Sequence, residues 1–432
     1  MTKAKPRPTA PIGALLMVYL GLMHLAAPVA QWHLKRRLAR GREDPARWQE
    51  KLGHAGLSRP KGPLIWLHAV GVGEVLALRG LITEMAHQRP DLQFLVTSST
   101  LSSAVALARN PAHPNVMHQF LPLDTTPFVT RFLNHWRPDL AIWAEQDLWP
   151  GLVVATHRRA IPLALINARM NTRAFRARAR FGAIFRDLFA RFALLAAQDR
   201  ITARHIAQLS PGARVQVTGS LKPACPALAC DQATLDDLTH ALAGRDLWCA
   251  APTHSMDEAV VLTAHALYRK TVPNSLLILV PRAPERGGAI ANACQAAGLP
   301  AIQRSAGGVP HAETAVWVAD SFGELGLWYR LCQTVLIGGS FGPTGGHSPW
   351  EALRLGAAVL HGPNTDNFTQ DYAALQAADG CVKVADAKGL AAALQRPDLA
   401  QIAQRGAQVQ THAAQNITQL SIDLLALMPG AQ

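Results

Sequence analysis

Acidic side chains that directly follow short apolar runs are the first chemistry this chain offers. The segment His68-Ala-Val-Gly-Val-Gly-Glu74 closes the apolar run 64–69. Gly71 and Gly73 permit a tight turn from strand to helix, which puts Glu74 in a first helical turn at the carboxyl edge of a sheet. An acid there is either a general base or a partner of the helix dipole. A dinucleotide fingerprint would need glycine at position 76, where Leu76 stands. A second pair of acids, Glu145 and Asp147, lies between Trp143 and Trp149 after the run 139–144. Acids flanked by tryptophans suit hydroxyl recognition. The alternative is a helix start in which Asp147 caps and Pro150 occupies the first turn.

The third feature is Thr218-Gly-Ser-Leu-Lys222. The chain has nine Lys against 33 Arg, and Lys222 is the only Lys between Lys61 and Lys270. Where basic positions are so uniformly Arg, a lone Lys in a glycine-containing loop suggests a need for a compact ammonium; a solvated surface Lys is the alternative. The second half holds candidate anion binders. Arg282 and Arg286 follow an apolar run in Val280-Pro-Arg-Ala-Pro-Glu-Arg286, and Asp320-Ser-Phe-Gly-Glu-Leu325 opens a helix after another. Gly338-Gly-Ser-Phe-Gly-Pro-Thr-Gly-Gly-His-Ser-Pro-Trp-Glu351 carries five glycines between 338 and 346. Such a loop predicts backbone N–H groups turned toward a phosphate at a helix N-terminus. Glu351, inside that helix, would accept from ribose hydroxyls. It is not a P-loop, because no Gly-Lys-Ser/Thr follows.

These residues must be positioned by regular elements, and the pattern that does so is clear. Runs at 64–69, 93–97, 139–144, 162–166 and 193–197 alternate with helical periodicity, as in 74–88 and 172–190. The pattern breaks near 223–245 and restarts with runs at 247–251, 276–280, 315–318, 334–338, 357–361 and 381–384. A long helix or helix pair over 398–427 ends it. Alternation of this kind predicts βαβ units around parallel sheets. The fold class expected is α/β with two Rossmann-like domains facing across a cleft. The domains are placed at 43–222 and 246–432, joined by a linker at 223–245.

The 432 residues, 49% hydrophobic and 16% charged, exclude a disordered chain. The net charge of +13 is concentrated: residues 1–62 carry 12 basic and 3 acidic groups, and 169–191 carries seven Arg and one Asp. Residues 11–30 contain no charge and are followed by Trp32, Lys35, Arg36, Arg37, Arg40 and Arg42. The segment 1–42 therefore predicts an N-terminal membrane-anchoring helix over 11–30, spanning or lying in the interface, with the rest of the chain cytoplasmic. Pro28 and the positive charges downstream oppose a cleaved signal sequence. Six scattered cysteines without a Cys-x-x-Cys pair suit buried thiols in a reducing compartment, with no zinc site expected. Charge segregated toward the anchor and 6% aromatic content disfavour nucleic acid as a partner.

At this point the chain resembles a known family, the 3-deoxy-D-manno-octulosonic acid (Kdo) transferases of lipid A biosynthesis. The resemblance runs from Arg47-Trp48 and Trp66-Leu-His-Ala-Val-Gly-Val-Gly-Glu74 through Leu-Pro-Leu-Asp at 121–124, Ala144-Glu-Gln-Asp-Leu-Trp-Pro150 and Asn-Ala-Arg at 167–169. It continues through Thr218–Lys222, Thr253-His254, Val280–Arg286, Asp320–Leu325 and the glycine loop. It implies a GT-B fold and an inverting, metal-independent, cofactor-free transfer of Kdo from CMP-Kdo to a tetra-acylated lipid A precursor at the cytoplasmic face of the inner membrane. It implies Glu74 as catalytic base, with Glu145 and Lys222 stabilising the transition state. It implies CMP binding at Pro281, Arg282, Phe322, Gly323, Glu324 and Ser348-Pro349-Trp350-Glu351. The chain departs from the family pattern at Gly71, Gln146, Asp147, Ala283 and Ser348. Ala283 and Ser348, in the expected donor pocket, leave open another CMP-linked sugar acid or acceptor, or a relative that only binds nucleotide.

Overall fold

The computed structural model describes residues 11–109 and 111–429. Lys3, Lys5 and Arg7, the basic flank ahead of the uncharged stretch, lie outside the described residues. The chain divides into two compact units, Met1–Pro226 with Ala413–Gln432, and Ala227–His412.

The first unit is built on a parallel seven-stranded sheet. Its strands are β1 (Leu64–His68), β2 (Gln93–Ser98), β3 (Val116–Phe120), β4 (Leu140–Ala144), β5 (Leu163–Ala168), β6 (Leu194–Ala197) and β7 (Val215–Val217), in the order β3-β2-β1-β4-β5-β6-β7. Apolar runs become central strands because helices cover both faces of the sheet. Every residue of β1, β4 and β5 is buried. The strands that periodicity did not predict, β3 and β7, sit at the two edges. Their sequences, VMHQF and VQV, are half polar because one side has no neighbour to bury it.

Strand order reverses between β1 and β4, which pair directly with His68 opposite Trp143. The loops after these two strands therefore leave the same edge side by side. Helix Val72–Gln88 buries Val75, Leu78, Ile82 and Met85, each worth about 1.5–3 kcal/mol, which fixes its first turn against that edge.

The second unit repeats the plan with β8 (Leu247–Thr253), β9 (Leu276–Pro281), β10 (Ala301–Gln303), β11 (Val316–Val318), β12 (Thr334–Ile337), β13 (Ala358–His361) and β14 (Val382–Lys383). The order is β10-β11-β9-β8-β12-β13-β14, so the reversal falls between β8 and β12.

Three sequence expectations are corrected. The expected linker 223–245 contains helix Gln232–Ala241, which belongs to the second unit and buries Leu238 in its core. The terminal helix Leu399–Leu425, expected within the second domain, passes its last residues to the first unit, where Ile417, Leu420, Leu424, Leu425 and Met428 join the core. The uncharged stretch 11–30 is not one helix. Ala14–Leu25 and Ala27–Ala39 meet at Ala26 with a bend of 60°. Pro28 lacks an N–H and restricts the residue before it, which suits a helix start and not a helix interior. Among the described residues no single helix is long and apolar enough to cross a membrane. Leu16 is fully buried against the first unit, the Gly13 N–H donates to Asp187 Oδ2 at 2.7 Å, and the Tyr19 hydroxyl donates to Asp124 Oδ2 at 2.8 Å.

If the chain end is part of the first unit's core, Leu424→Ala should cost about 2–5 kcal/mol in urea unfolding. Exposed Gln419→Ala should change little.

Candidate active site

Glu74 sits at the third position of its helix and does two things at once. Its Oε2 accepts from the Val70 N–H at 2.8 Å and the Gly71 N–H at 3.3 Å, closing the helix start from below. Its carboxyl also lies near enough to that of Glu145, across the β1/β4 reversal, for its charge to act on it. The dipole-partner and catalytic readings are thus compatible, because one carboxyl serves both.

Glu145 continues the sheet ladder through its N–H to the Ile166 carbonyl at 2.9 Å, but its φ is 63°, in the left-handed region. Asn167, after the neighbouring β5, has φ 53°. Side-chain-bearing residues pay about 1–3 kcal/mol each for such backbone, and it persists where the surroundings demand it. Here it swings Glu145 back toward Glu74. Burial raises the Glu145 carboxyl to about 7, the Glu74 charge adds to this, and the charges of Lys222 and Arg169 hold it down. Of these two neighbouring carboxyl groups, Glu145 is thus the one held toward its protonated form.

Lys222 is brought to this pair by backbone packing. Its short helical turn, Lys222–Ala224, lies so close to helix Val72–Gln88 that a Cβ on Gly80 would sit 2.2 Å from the Ala224 carbonyl oxygen. The Leu221 N–H donates to Asn167 Oδ1 at 3.2 Å, tying the same turn to the end of β5. Arg169 is a site residue that charge and spacing alone had not singled out; its signal was the Asn-Ala-Arg run after β5.

Asp147 does not cap the following helix. That helix, Pro150–Arg158, is capped by Asp124, which accepts from the Gly151 and Leu152 N–H groups at 2.8 and 2.7 Å. Asp147 instead accepts from the Trp149 indole at 2.9 Å and lies 3.6 Å from His68 Nε2. Burial opposes its ionisation, but the neighbouring His68 ring, the Trp149 hydrogen bond and the Arg178 charge outweigh it and hold the carboxyl below its ordinary value.

In the second unit the expected anion binders are reassigned in part. The amides at the start of the glycine loop do not point to open space. Gly339, Ser340 and Phe341 N–H donate to the fully buried Asp257 carboxylate at 2.7–3.2 Å, and the His254 N–H joins them at 2.9 Å. The loop's glycines answer internal needs: Gly339, Gly345 and Gly346 all have positive φ, and Gly345 packs on Asn367. The following helix, Trp350–Arg354, has five residues. Arg286 is paired with Glu258. Asp257 was missed; the signal was Thr-His-x-x-Asp, a helix start in which the acid reaches back.

Arg282 remains exposed beside β8, its N–H bonded to the Thr253 carbonyl at 2.9 Å, with Pro281 buried behind it. Glu324 chelates Arg304 at 2.8 and 3.3 Å and accepts from the Ser321 hydroxyl. This turn leaves Gly323 at φ 88° and the Phe322 ring 82% exposed. Pro349 and Trp350 are buried, whereas Ser348 and Glu351 are partly accessible. Among the described residues no group of three or more His, Cys, Asp or Glu is arranged to hold a metal.

Two parallel sheets, each with polar side chains gathered where strand order reverses, are an architecture of sugar-transferring enzymes of the GT-B type. The chain matches the fold of a glycosyltransferase from Rickettsia africae with a TM-score of 0.54, at 8% identity, over 86% of this chain and 100% of that one. The family described as 3-deoxy-D-manno-octulosonic-acid transferase (kdotransferase) matches residues 46–225. A probable mitochondrial 3-deoxy-D-manno-octulosonic acid transferase of Arabidopsis thaliana is 34% identical over 84% of this chain and 83% of its own length. The 3-deoxy-D-manno-octulosonic acid transferase of Haemophilus influenzae is 30% identical over 86% and 84%. The chain belongs to the Kdo transferase family of glycosyltransferases.

The raised Glu145 carboxyl has a measurable consequence. A folded-state value above the ordinary 4.5 means that Glu145 favours the folded chain below 4.5, and that this contribution is lost as pH rises to about 7. Thermal unfolding of Glu145→Gln should therefore gain on the wild type across that window and level off above it. A difference that does not vary with pH would refute the raised Glu145 carboxyl.

Proposed function

We propose that this Kdo transferase moves Kdo from CMP-Kdo to a tetra-acylated lipid A precursor with inversion at the anomeric carbon. The observation that carries the reading is the Glu74–Glu145 carboxyl pair at the β1/β4 reversal, with Lys222 and Arg169 beside it. The Glu74 carboxylate, within reach of an acceptor hydroxyl, would act as general base. As Glu74 takes the proton, the acceptor oxygen attacks the anomeric carbon. The bond from that carbon to the phosphate oxygen breaks, and CMP departs with the electron pair. Glu145, protonated, keeps a second negative charge away from Glu74, while Lys222 and Arg169 offset the charge that develops.

The donor is assigned to the second unit. Arg282, exposed after the buried Pro281, suits the phosphate. The outward Phe322 ring above Gly323 suits stacking on cytosine. Glu324, committed to Arg304, serves by holding this turn and by its backbone. Ser348 and Glu351 provide hydroxyl-binding groups on a base formed by buried Pro349 and Trp350. The assignment places charge neutralisation on side chains, with neither cofactor nor metal.

The acceptor and the membrane are assigned to the first unit. Leu15, Val18, Leu22, Leu25, Val29 and Trp32 are exposed along the bent helix pair, followed by exposed Lys35, Arg36 and Arg40. An apolar ridge with a basic flank suits immersion in an anionic leaflet without crossing it. A hollow of about 350 Å³ beneath helix Ala14–Leu25, lined by Leu20, Met23, Val129 and Val154 with Arg158 and Arg159, suits an amphiphile. The basic stretch 169–191 forms two short helices, Thr172–Ala179 and Gly182–Phe189, with Arg173, Arg176 and Arg180 exposed. The reading places the protein on the cytoplasmic face of the inner membrane.

Purified protein with CMP-Kdo and lipid A precursor should yield a product heavier by Kdo in mass spectrometry. Glu74→Gln should abolish that product and still bind CMP; full activity in this variant would remove Glu74 as the base. Charge reversal at Arg173, Arg176 and Arg180 together should raise acceptor KM more than donor KM. The opposite pattern would leave the patch a solvated helix face.

A further inference from the structure

At the reversal of the second sheet, two histidines meet. His254 follows β8 and His347 ends the glycine loop after β12. Their Nε2 atoms are 2.9 Å apart and their rings stack, with centroids 5.2 Å apart and planes 8° from parallel. Both rings are held. The His254 backbone N–H is bound by Asp257, and the Tyr372 hydroxyl donates to the His347 carbonyl at 3.1 Å. A Cβ on Gly339 would lie 3.0 Å from the His347 ring, so the loop closes directly over it. Neither side chain is fully buried, and Arg282 is near enough to act on His347.

We propose that His254 and His347 form a proton-accepting clamp that takes up one proton when the anionic phosphoryl group of the nucleotide binds beside Arg282. This rests on the assignment of the donor to the second unit.

The geometry defines how many protons the pair holds. An Nε2–Nε2 hydrogen bond requires one ring to donate and the other to accept. In the neutral pair the donating ring has a bare Nδ1. A further proton can go there and leave the bond intact. One more would set two N–H groups against each other at 2.9 Å. The pair thus has room for one positive charge and no more.

The surrounding charges decide when it is taken. Burial holds His347 down to about 4, His254 and Arg282 add to this, and Asp257 opposes. With its carboxylate bonded to four N–H groups, Asp257 offsets little of that field. A charge on His347 is therefore disfavoured before nucleotide binds. A phosphate beside Arg282 reverses the local field and makes the extra proton favourable. Nucleotide affinity then falls as pH rises.

The test is calorimetric titration of CMP into the full-length protein in detergent, at about pH 7.5, where the CMP monoester is mainly dianionic. Two buffers of different ionisation heat read proton uptake directly. Wild type should take up a substantial fraction of a proton per CMP. The double variant H254Q/H347Q should bind CMP about tenfold more weakly and take up none. Arg282→Ala tests the underlying assignment and should lose CMP affinity by at least as much. CMP binding without proton uptake in wild type would overturn the clamp and leave the donor site standing. Uptake that persists in H254Q/H347Q would also overturn it, by placing the proton elsewhere. Wild-type protein that does not bind CMP would overturn both.

Discussion

Two carboxyl groups near each other inside a half-buried pocket cannot both be ionised without cost, and the first unit's site is organised around that constraint. Holding Glu74 against Glu145 requires the ends of β1 and β4 to be neighbours, so the sheet must reverse its strand order there. It requires a left-handed backbone at Glu145 and a first helical turn that Glu74 itself closes. It also requires cations nearby. Lys222 arrives on a turn that only a glycine at position 80 lets approach, and Arg169 arrives from the end of β5. The result is two acids and two cations gathered at one sheet edge, with Glu145 held toward its protonated form.

The second unit uses the same topological opportunity differently. Its reversal gathers an Arg, two imidazoles and a carboxylate, and the carboxylate is spent on structure. Asp257 satisfies three amides of the glycine loop that would otherwise be orphaned in a buried turn. That choice commits those amides to the loop's own fold. The two reversals thus gather different groups: two carboxyls with cations beside them in the first unit, and an Arg with two imidazoles in the second.

Much of this was legible in the sequence. Central strands are fully buried, so their apolar runs stood out, and the two-unit α/β plan followed from their alternation with helical stretches. The edge strands β3, β7 and β10 did not stand out, because half of each is polar or accessible. Glu74, Glu145 and Lys222 were visible as acids at strand ends and a solitary Lys among Arg. Asp124 as a cap was passed over, the capping alternative for Asp147 failed and Arg286 was misread, because a cap or an ion pair depends on which distant group arrives first. Asp124 is 27 residues from the N–H it caps.

The order of elements, the charge segregation and the identity of the groups at each strand end belong to the sequence alone, since periodicity and residue chemistry are local. Only the tertiary structure decided which acid lies beside which, where residues 413–429 pack, and whether the first amides of the glycine loop face outward or a carboxylate. Those outcomes depend on contacts between residues far apart in the chain. Burial and the approach of neighbouring charges set them, and neither is a property of any segment by itself.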